Sequence, residues 1–246
     1  MKQHSLPHHL NEHPLFKDNQ AAWQAILPHI SVRIFEKDHV IACHGDTAHT
    51  MWVIRKGWVK LSRQTPDGKE TIIGLHTQGS LIGEAALFPH SSYPHTIESL
   101  CDGTELICIQ SHALRLTLAQ NADLSRYIMG LLNQQMSHVQ LKLEHMTTLS
   151  AAQRLGCFLL QLCQPHASGY KINLPIEKHL IASYLGMKPE TFSRNLNQLK
   201  EIGVLTKGHD VDVSSVVKLR DFVCNSCSES GACDVDVLNL DGTSPL

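Results

Sequence analysis

Residues 176–203 read IEKHLIASYLGMKPETFSRNLNQLKEIG. Two helical patterns, Ile176–Leu185 and Glu190–Ile202, flank the connector Gly186-Met187-Lys188-Pro189, and Gly203 ends the second. Glycine permits the tight bend, and proline presets the first turn of the helix that follows. Helix, short turn, helix begun at Pro is the helix-turn-helix pattern. In the second helix Glu190, Ser193, Arg194 and Asn197 share one polar face, while Phe192, Leu196 and Leu199 face a core. That polar face suits a major groove: Arg bonds guanine O6/N7 in a fork, Glu accepts from cytosine N4, and Ser bonds a base or a phosphate. Thr191 lies beside this face. Lys178, Lys188, Lys200 and Lys207 flank it as phosphate contacts.

Downstream, VLTKGHDVDVS at 204–214 reads as a β-hairpin wing with Gly208 near its turn. Upstream, Ala151–Gln164 is an amphipathic helix, Pro165–Gly169 breaks it, and Lys171–Pro175 is a short strand. Before that unit lies a long helical stretch, Asp123–Leu149. Its apolar residues Ile128, Leu132, Met136, Val139, Leu143 and Met146 recur every three or four positions, over about 40 Å at 1.5 Å per residue. A stripe on so long a helix predicts a seam between two copies of the chain, with Gln135 and Lys142 as polar interruptions that fix its register.

From Val32 to Ile109 the pattern changes to short apolar runs separated by turn residues, among them Thr65-Pro66-Asp67-Gly68. This predicts an antiparallel β-roll, preceded by a short helix over residues 19–30. The expected fold class is therefore α+β: an N-terminal β-roll, a long dimerisation helix and a C-terminal winged helix-turn-helix. The expected division is a sensor β-roll with an N-terminal arm at 1–122, the dimerisation helix at 123–149, the DNA-binding domain at 150–222 and a cysteine-rich tail at 223–246.

Composition agrees with this division. The 246 residues are 42% hydrophobic and 18% charged, which excludes global disorder. No apolar run is long enough to span a membrane, and the polar start MKQHSLPHHLNEHP lacks the apolar stretch of a signal peptide, so a cytoplasmic protein without a membrane partner is expected. The net charge of −2 conceals an asymmetry: residues 149–222 carry nine Lys/Arg against six Asp/Glu, and residues 223–246 carry four acids and no Lys or Arg. No nucleophile elbow, phosphate loop or His-Glu-x-x-His sequence is present, so no enzyme is expected.

Three segments, Val40–Asp46 (VIACHGD), Val53–Leu61 (VIRKGWVKL) and Gly83–Phe88 (GEAALF), followed by a long helix and a winged helix-turn-helix, resemble the CRP/FNR superfamily of transcription regulators over roughly residues 20–220. The resemblance implies a homodimer that binds double-stranded DNA and contacts RNA polymerase. The sequence Glu190-Thr191-Phe192-Ser193-Arg194 is similar to the FNR branch, which implies palindromic half-sites of the TTGAT type; Leu174–Leu205 is also similar to the nitric-oxide-responsive Dnr group. Family members that bind cyclic AMP carry an Arg followed by Ser or Thr beyond the Gly-Glu pair. Here Tyr93-Pro94-His95-Thr96 stands at that place, so a cyclic phosphate would lack its cation.

The tail suggests a different sensor. Cys224, Cys227 and Cys233 follow a Cys-x2-Cys-x5-Cys spacing with Ser and Gly between them. Iron–sulfur clusters and zinc both use such thiolates. FNR proteins carry this spacing near the N-terminus for a [4Fe–4S] cluster, and the resemblance implies oxygen or nitric oxide as the signal and Cys108, at the end of the β-roll, as fourth ligand. Asp123, His138 or His145 are alternatives. Similarity to the Dnr group implies haem as another possible cofactor, with His8, His9 and His13 available on the N-terminal arm.

Overall fold

Antiparallel pairing builds the first half of the chain from eight strands, which the computed structural model places in two four-stranded sheets. The structure describes residues 23–224 except 25, 167–168, 175–176 and 209. The chain divides into two units between Met136 and Ser137.

In the first unit, β1 (Ile30–Phe35), β8 (Thr104–Gln110), β3 (Thr50–Lys56) and β6 (Leu81–Ile82) form one sheet in that order; β2 (Val40–Ala42), β7 (Thr96–Ser99), β4 (Trp58–Gln64) and β5 (Glu70–Thr77) form the other. Met51, Val53, Ile54, Val59, Leu106 and Ile109 are fully buried in the core. The β4–β5 hairpin turns at Thr65-Pro66-Asp67-Gly68, where the Gly68 amide donates to the Thr65 carbonyl at 2.9 Å, as the Pro and Gly positions predict. On β4 the side chain of Lys60, 7% exposed, pairs with Glu70 at 2.8 Å and Glu98 at 3.2 Å. Burial works against its ammonium, but the hydrogen bonds and charges of the two carboxylates outweigh it and hold the pKa above the usual lysine value. The short helix expected over 19–30 is observed only as helical residues from Trp23 and the 3₁₀ turn Leu27–His29; residues 19–22 lie outside the described residues.

The sheet region ends in α1 (Ser111–Gln120), followed by α2 (Ala122–Thr148), which matches the expected Asp123–Leu149 within one residue at each end. The apolar stripe of α2 has two fates. Leu124 and Ile128 are buried in the β-roll core and Leu132 packs partly against it, whereas Met136, Val139 and Leu143 are 62%, 59% and 62% exposed. Met129, 61% exposed, extends the exposed series by one step and was not part of the expected stripe. Gln135 and Lys142, expected as polar marks on the seam, are engaged within their own chain: Gln135 Nε2 donates to the Leu81 carbonyl at 2.8 Å, and Lys142 stacks on a tyrosine ring.

Within the second unit, which begins in the last turns of α2, a capping box starts the next helix. The Gln153 amide donates to Ser150 Oγ at 3.3 Å and the Ser150 amide donates to Gln153 Oε1 at 3.0 Å, so α3 (Ala151–Leu160) starts afresh after α2. Then come β9 (Gln164–His166), β10 (Gly169–Asn173), α4 (Lys178–Tyr184), α5 (Pro189–Leu199), the 3₁₀ turn Lys200–Ile202, β11 (Val204–Lys207), β12 (Asp210–Val213) and α6 (Val216–Cys224). The strands form one antiparallel sheet in the order β11-β12-β10-β9. The segment Pro165–Gly169, expected only to break a helix, contains part of β9. Proline fits there because β9 is an edge strand and need not donate to a further neighbour. Among the described residues no helix is long and apolar enough to cross a membrane.

Candidate nucleic-acid interface

Pro189 stands in the first turn of α5, and Lys188, extended at φ −73° and ψ 152°, is its N-cap. Gly186 makes the bend before it with φ +65°, a left-handed conformation that glycine adopts without strain. Phe192, Leu196 and Leu199 are buried, and each contributes about 1.5–3 kcal/mol on leaving water. This packing fixes the rotation of α5 about its axis. Glu190, Ser193, Arg194 and Asn197 are thereby all exposed on the opposite side, with Thr191 half-buried at its margin and Lys188 exposed at its start. Every side chain expected at this interface is on the outward face or beside it.

Asn195 is a polar residue on the inward face that the sequence reading did not single out. It is 6% exposed, and its Nδ2 reaches Met187 Sδ at 3.8 Å, tying the recognition helix to the turn before it. Lys178, Lys200 and Lys207 are exposed. The wing forms as expected: β11 and β12 pair from Val204↔Val213 to Lys207↔Asp210, with Gly208 in the turn at φ +63°. Lys171 on β10 reaches Asp210 at 3.0 Å and braces the wing from behind. An exposed Arg and Glu on a rigid helix, among flexible exposed lysines, can read base edges and neutralise phosphates respectively.

Beside the Gly83-Glu84 pair the β-roll has a small hollow. Here Leu61, Gly83, Glu84, Tyr93, Pro94, His95 and Ile97 enclose about 10 Å³, room for no more than one water. Tyr93 fills it. Its hydroxyl donates to the Thr50 carbonyl at 2.7 Å and accepts from the Thr50 amide at 2.9 Å, and its ring lies 5.3 Å from that of Trp52. Gly83 lies under Trp52, and a Cβ there would stand 2.7 Å from the indole, so the residue must be glycine for packing as well as for its φ of +77°. Burial lowers the pKa of His95, which favours the neutral ring over a phosphate-binding cation.

The expected metal ligands are distributed as follows. The backbone of Cys224 ends α6, and its side chain, with Cys227 and Cys233, lies outside the described residues, as do His8, His9 and His13. Cys108 is 7% exposed in the β-roll core; its Sγ lies 3.7 Å from the Leu106 carbonyl, and burial pushes its thiol pKa up. A buried thiol inside a packed sheet also fits a packing role. Asp123 is paired with Arg126 at 2.9 Å, His138 is exposed, and His145 is buried with its pKa lowered by that burial. Among the described residues no three His, Cys, Asp or Glu side chains converge on a metal position.

Residues 32–121 match the cyclic nucleotide-binding domain family and residues 153–222 the Crp-like helix-turn-helix domain family. The chain is 26% identical over 196 residues to the nitrogen fixation regulation protein FixK of Rhizobium meliloti (strain 1021), covering 79% of this chain and 87% of that protein. It is also 26% identical over 192 residues to the transcriptional activator protein FnrA of Stutzerimonas stutzeri, covering 76% and 78%. Among solved structures, FixK2 from Bradyrhizobium japonicum superposes with a TM-score of 0.70 over 78% of this chain and 96% of that one, at 21% identity, and shares the fold.

Proposed function

The chain belongs to the CRP/FNR family of DNA-binding transcription regulators, and from that premise we propose that it binds palindromic duplexes with TTGAT-type half-sites as a homodimer and switches in response to oxygen or nitric oxide. The observation that carries the DNA reading is the outward face of α5, where Glu190, Ser193 and Arg194 stand exposed on a helix locked by Phe192, Leu196 and Leu199. The dimer reading rests on the exposed series Met129, Met136 and Leu143, seven residues apart, with Val139 between the last two at the other core position of a heptad, which exceeds what a solvated helix face needs. Two such helices joined side by side set two recognition helices about 34 Å apart, one turn of duplex.

The sensor reading rests on the spacing of Cys224, Cys227 and Cys233, three thiols in an acidic segment poor in apolar neighbours. These three hold a [4Fe–4S] cluster in this reading, with Cys108, buried in the β-roll, as the candidate for its fourth ligand. The cluster, when bound, supplies the chemistry that oxygen or nitric oxide attacks. A cyclic nucleotide is not the signal in this reading, because Tyr93-Pro94-His95-Thr96 offers no cation for its phosphate.

Two measurements test this. Titration of a TTGAT-type palindrome at increasing salt is expected to show affinity falling with a log–log slope near −0.9 for each phosphate contacted, and far tighter binding than to a scrambled duplex; equal affinity for both duplexes rejects sequence-specific regulation. Protein purified without oxygen is expected to carry iron and sulfide together, and Ser in place of Cys224, Cys227 and Cys233 to remove both and abolish the oxygen response. Stoichiometric zinc or a sharp haem band replaces the cluster reading by one of those cofactors.

A further inference from the structure

The long helix and the helix-turn-helix meet, inside the second unit, at a set of contacts that neither DNA reading nor dimer formation requires. Lys142 Nζ on α2 sits 3.6 Å above the ring centroid of Tyr184, the last residue of α4. That ring is held in turn by Phe158 of α3, edge-on at 5.9 Å. One helical turn further along α2, the methyl group of Met146 rests where a side chain on Gly186 would be. Arg154 on α3 closes the set. Its Nη1 donates to the Leu149 carbonyl at 2.8 Å and its Nε donates to the Leu185 carbonyl at 3.2 Å. Carbonyls at helix C-termini lack a partner in their own helix, so one guanidinium satisfies the end of α2 and the end of α4 together.

We propose that Lys142 and Arg154 are positioning residues that clasp the turn of the helix-turn-helix to the last turns of the long helix, and so fix the half-site spacing that the dimer accepts. This rests on the reading of the chain as a DNA-binding dimer and adds the device that sets its geometry. Without the clasp, α5 would remain folded in its own unit but would be held to α2 mainly through the Leu149–Ser150 junction and the Met146–Gly186 contact. With it, any rotation of α2 is passed to the turn at Gly186, six residues from Phe192 in the recognition helix. The environment of Lys142 agrees with a placed charge. Burial pulls its pKa down to about 8, and the face of the Tyr184 ring is the group that favours the cation there. An ordinary solvated lysine would avoid that position.

The test uses the full chain and a panel of palindromes whose half-sites are separated by the preferred distance or by one or two base pairs more or fewer. The wild-type protein is expected to discriminate sharply between spacings. Lys142→Met, which keeps the stem and removes the charge, is expected to remain dimeric by sedimentation and to lose about five- to thirtyfold of that discrimination. Arg154→Met is expected to lose at least as much. Lys142→Arg, whose guanidinium also stacks on a ring, is expected to restore it. If Lys142→Met fails to fold, Tyr184→Leu removes the same contact from the other side and is read in the same way. A wild-type spacing profile in folded, dimeric Lys142→Met or Tyr184→Leu overturns the clasp while leaving the dimer reading intact. A wild-type protein indifferent to spacing overturns the dimer reading and the clasp with it.

Discussion

Replacing Val139 and Leu143 together by Glu converts the protein to a monomer that has lost specific operator binding. The two side chains are 59% and 62% exposed and one turn apart, and neither belongs to the core of the β-roll. The first unit should therefore keep its fold. In a two-fold seam each substitution acts twice. Burying a Val or Leu is worth about 1.5–3 kcal/mol, so removing four such residues takes away on the order of 6–12 kcal/mol. Four carboxylates would be brought together in their place. The loss is comparable to the roughly 8 kcal/mol that separates a micromolar dimer from free protomers, and the repulsion among the carboxylates adds to it. Sedimentation at micromolar concentration reads the outcome, with near-native circular dichroism as the control for folding. A double variant that still sediments as a dimer removes α2 from the seam.

Arg194→Ala is expected to lower affinity for the cognate palindrome much more than for a scrambled duplex. Arg194 is exposed on the outward face of α5, and a bidentate contact to guanine is worth about 1–3 kcal/mol of discrimination at each half-site. Two half-sites give a loss of about 2–6 kcal/mol on the cognate duplex, at least thirtyfold. On scrambled DNA only one charge per protomer is lost. Arg194→Lys separates the two effects: it keeps the charge and lacks the fork, so it should retain non-specific affinity and lose most of the discrimination. Parallel losses on both duplexes for Arg194→Ala make the residue a phosphate contact and move base reading elsewhere on the helix.

The fold was legible where a residue type has few alternatives. Pro66 and Gly68 fix a turn, Pro189 fixes a helix start, and the Phe192/Leu196/Leu199 spacing leaves one face for the groove. The misreadings share another physical character. Pro165 reads as a breaker unless the strand is known to lie at a sheet edge, which is a property of the sheet and not of the segment. Gln135 and Lys142 interrupt an apolar stripe in the same way whether they face a second copy or, as observed, the Leu81 carbonyl and the Tyr184 ring. Arg154 could not be singled out, since both its partners are backbone carbonyls that any residue would supply. The outward polar face of α5 was readable because its residues lie in one helix. The clasp was not, because it is assembled from three.

The packed interior around Tyr93 has a thermodynamic consequence. A receptor that binds its effector in the folded state gains RT ln(1 + [L]/Kd) of stability, about 2.7 kcal/mol at a hundredfold excess over Kd, so its lifetime in the cell rises and falls with the metabolite it reports. With Tyr93 hydrogen-bonded to Thr50 and stacked near Trp52 over Gly83, the internal side chains supply that stabilisation permanently. If, as proposed, a cyclic nucleotide is not the signal, the stability of this region is expected to stay constant as cyclic nucleotide levels change, because the chain's own side chains supply it.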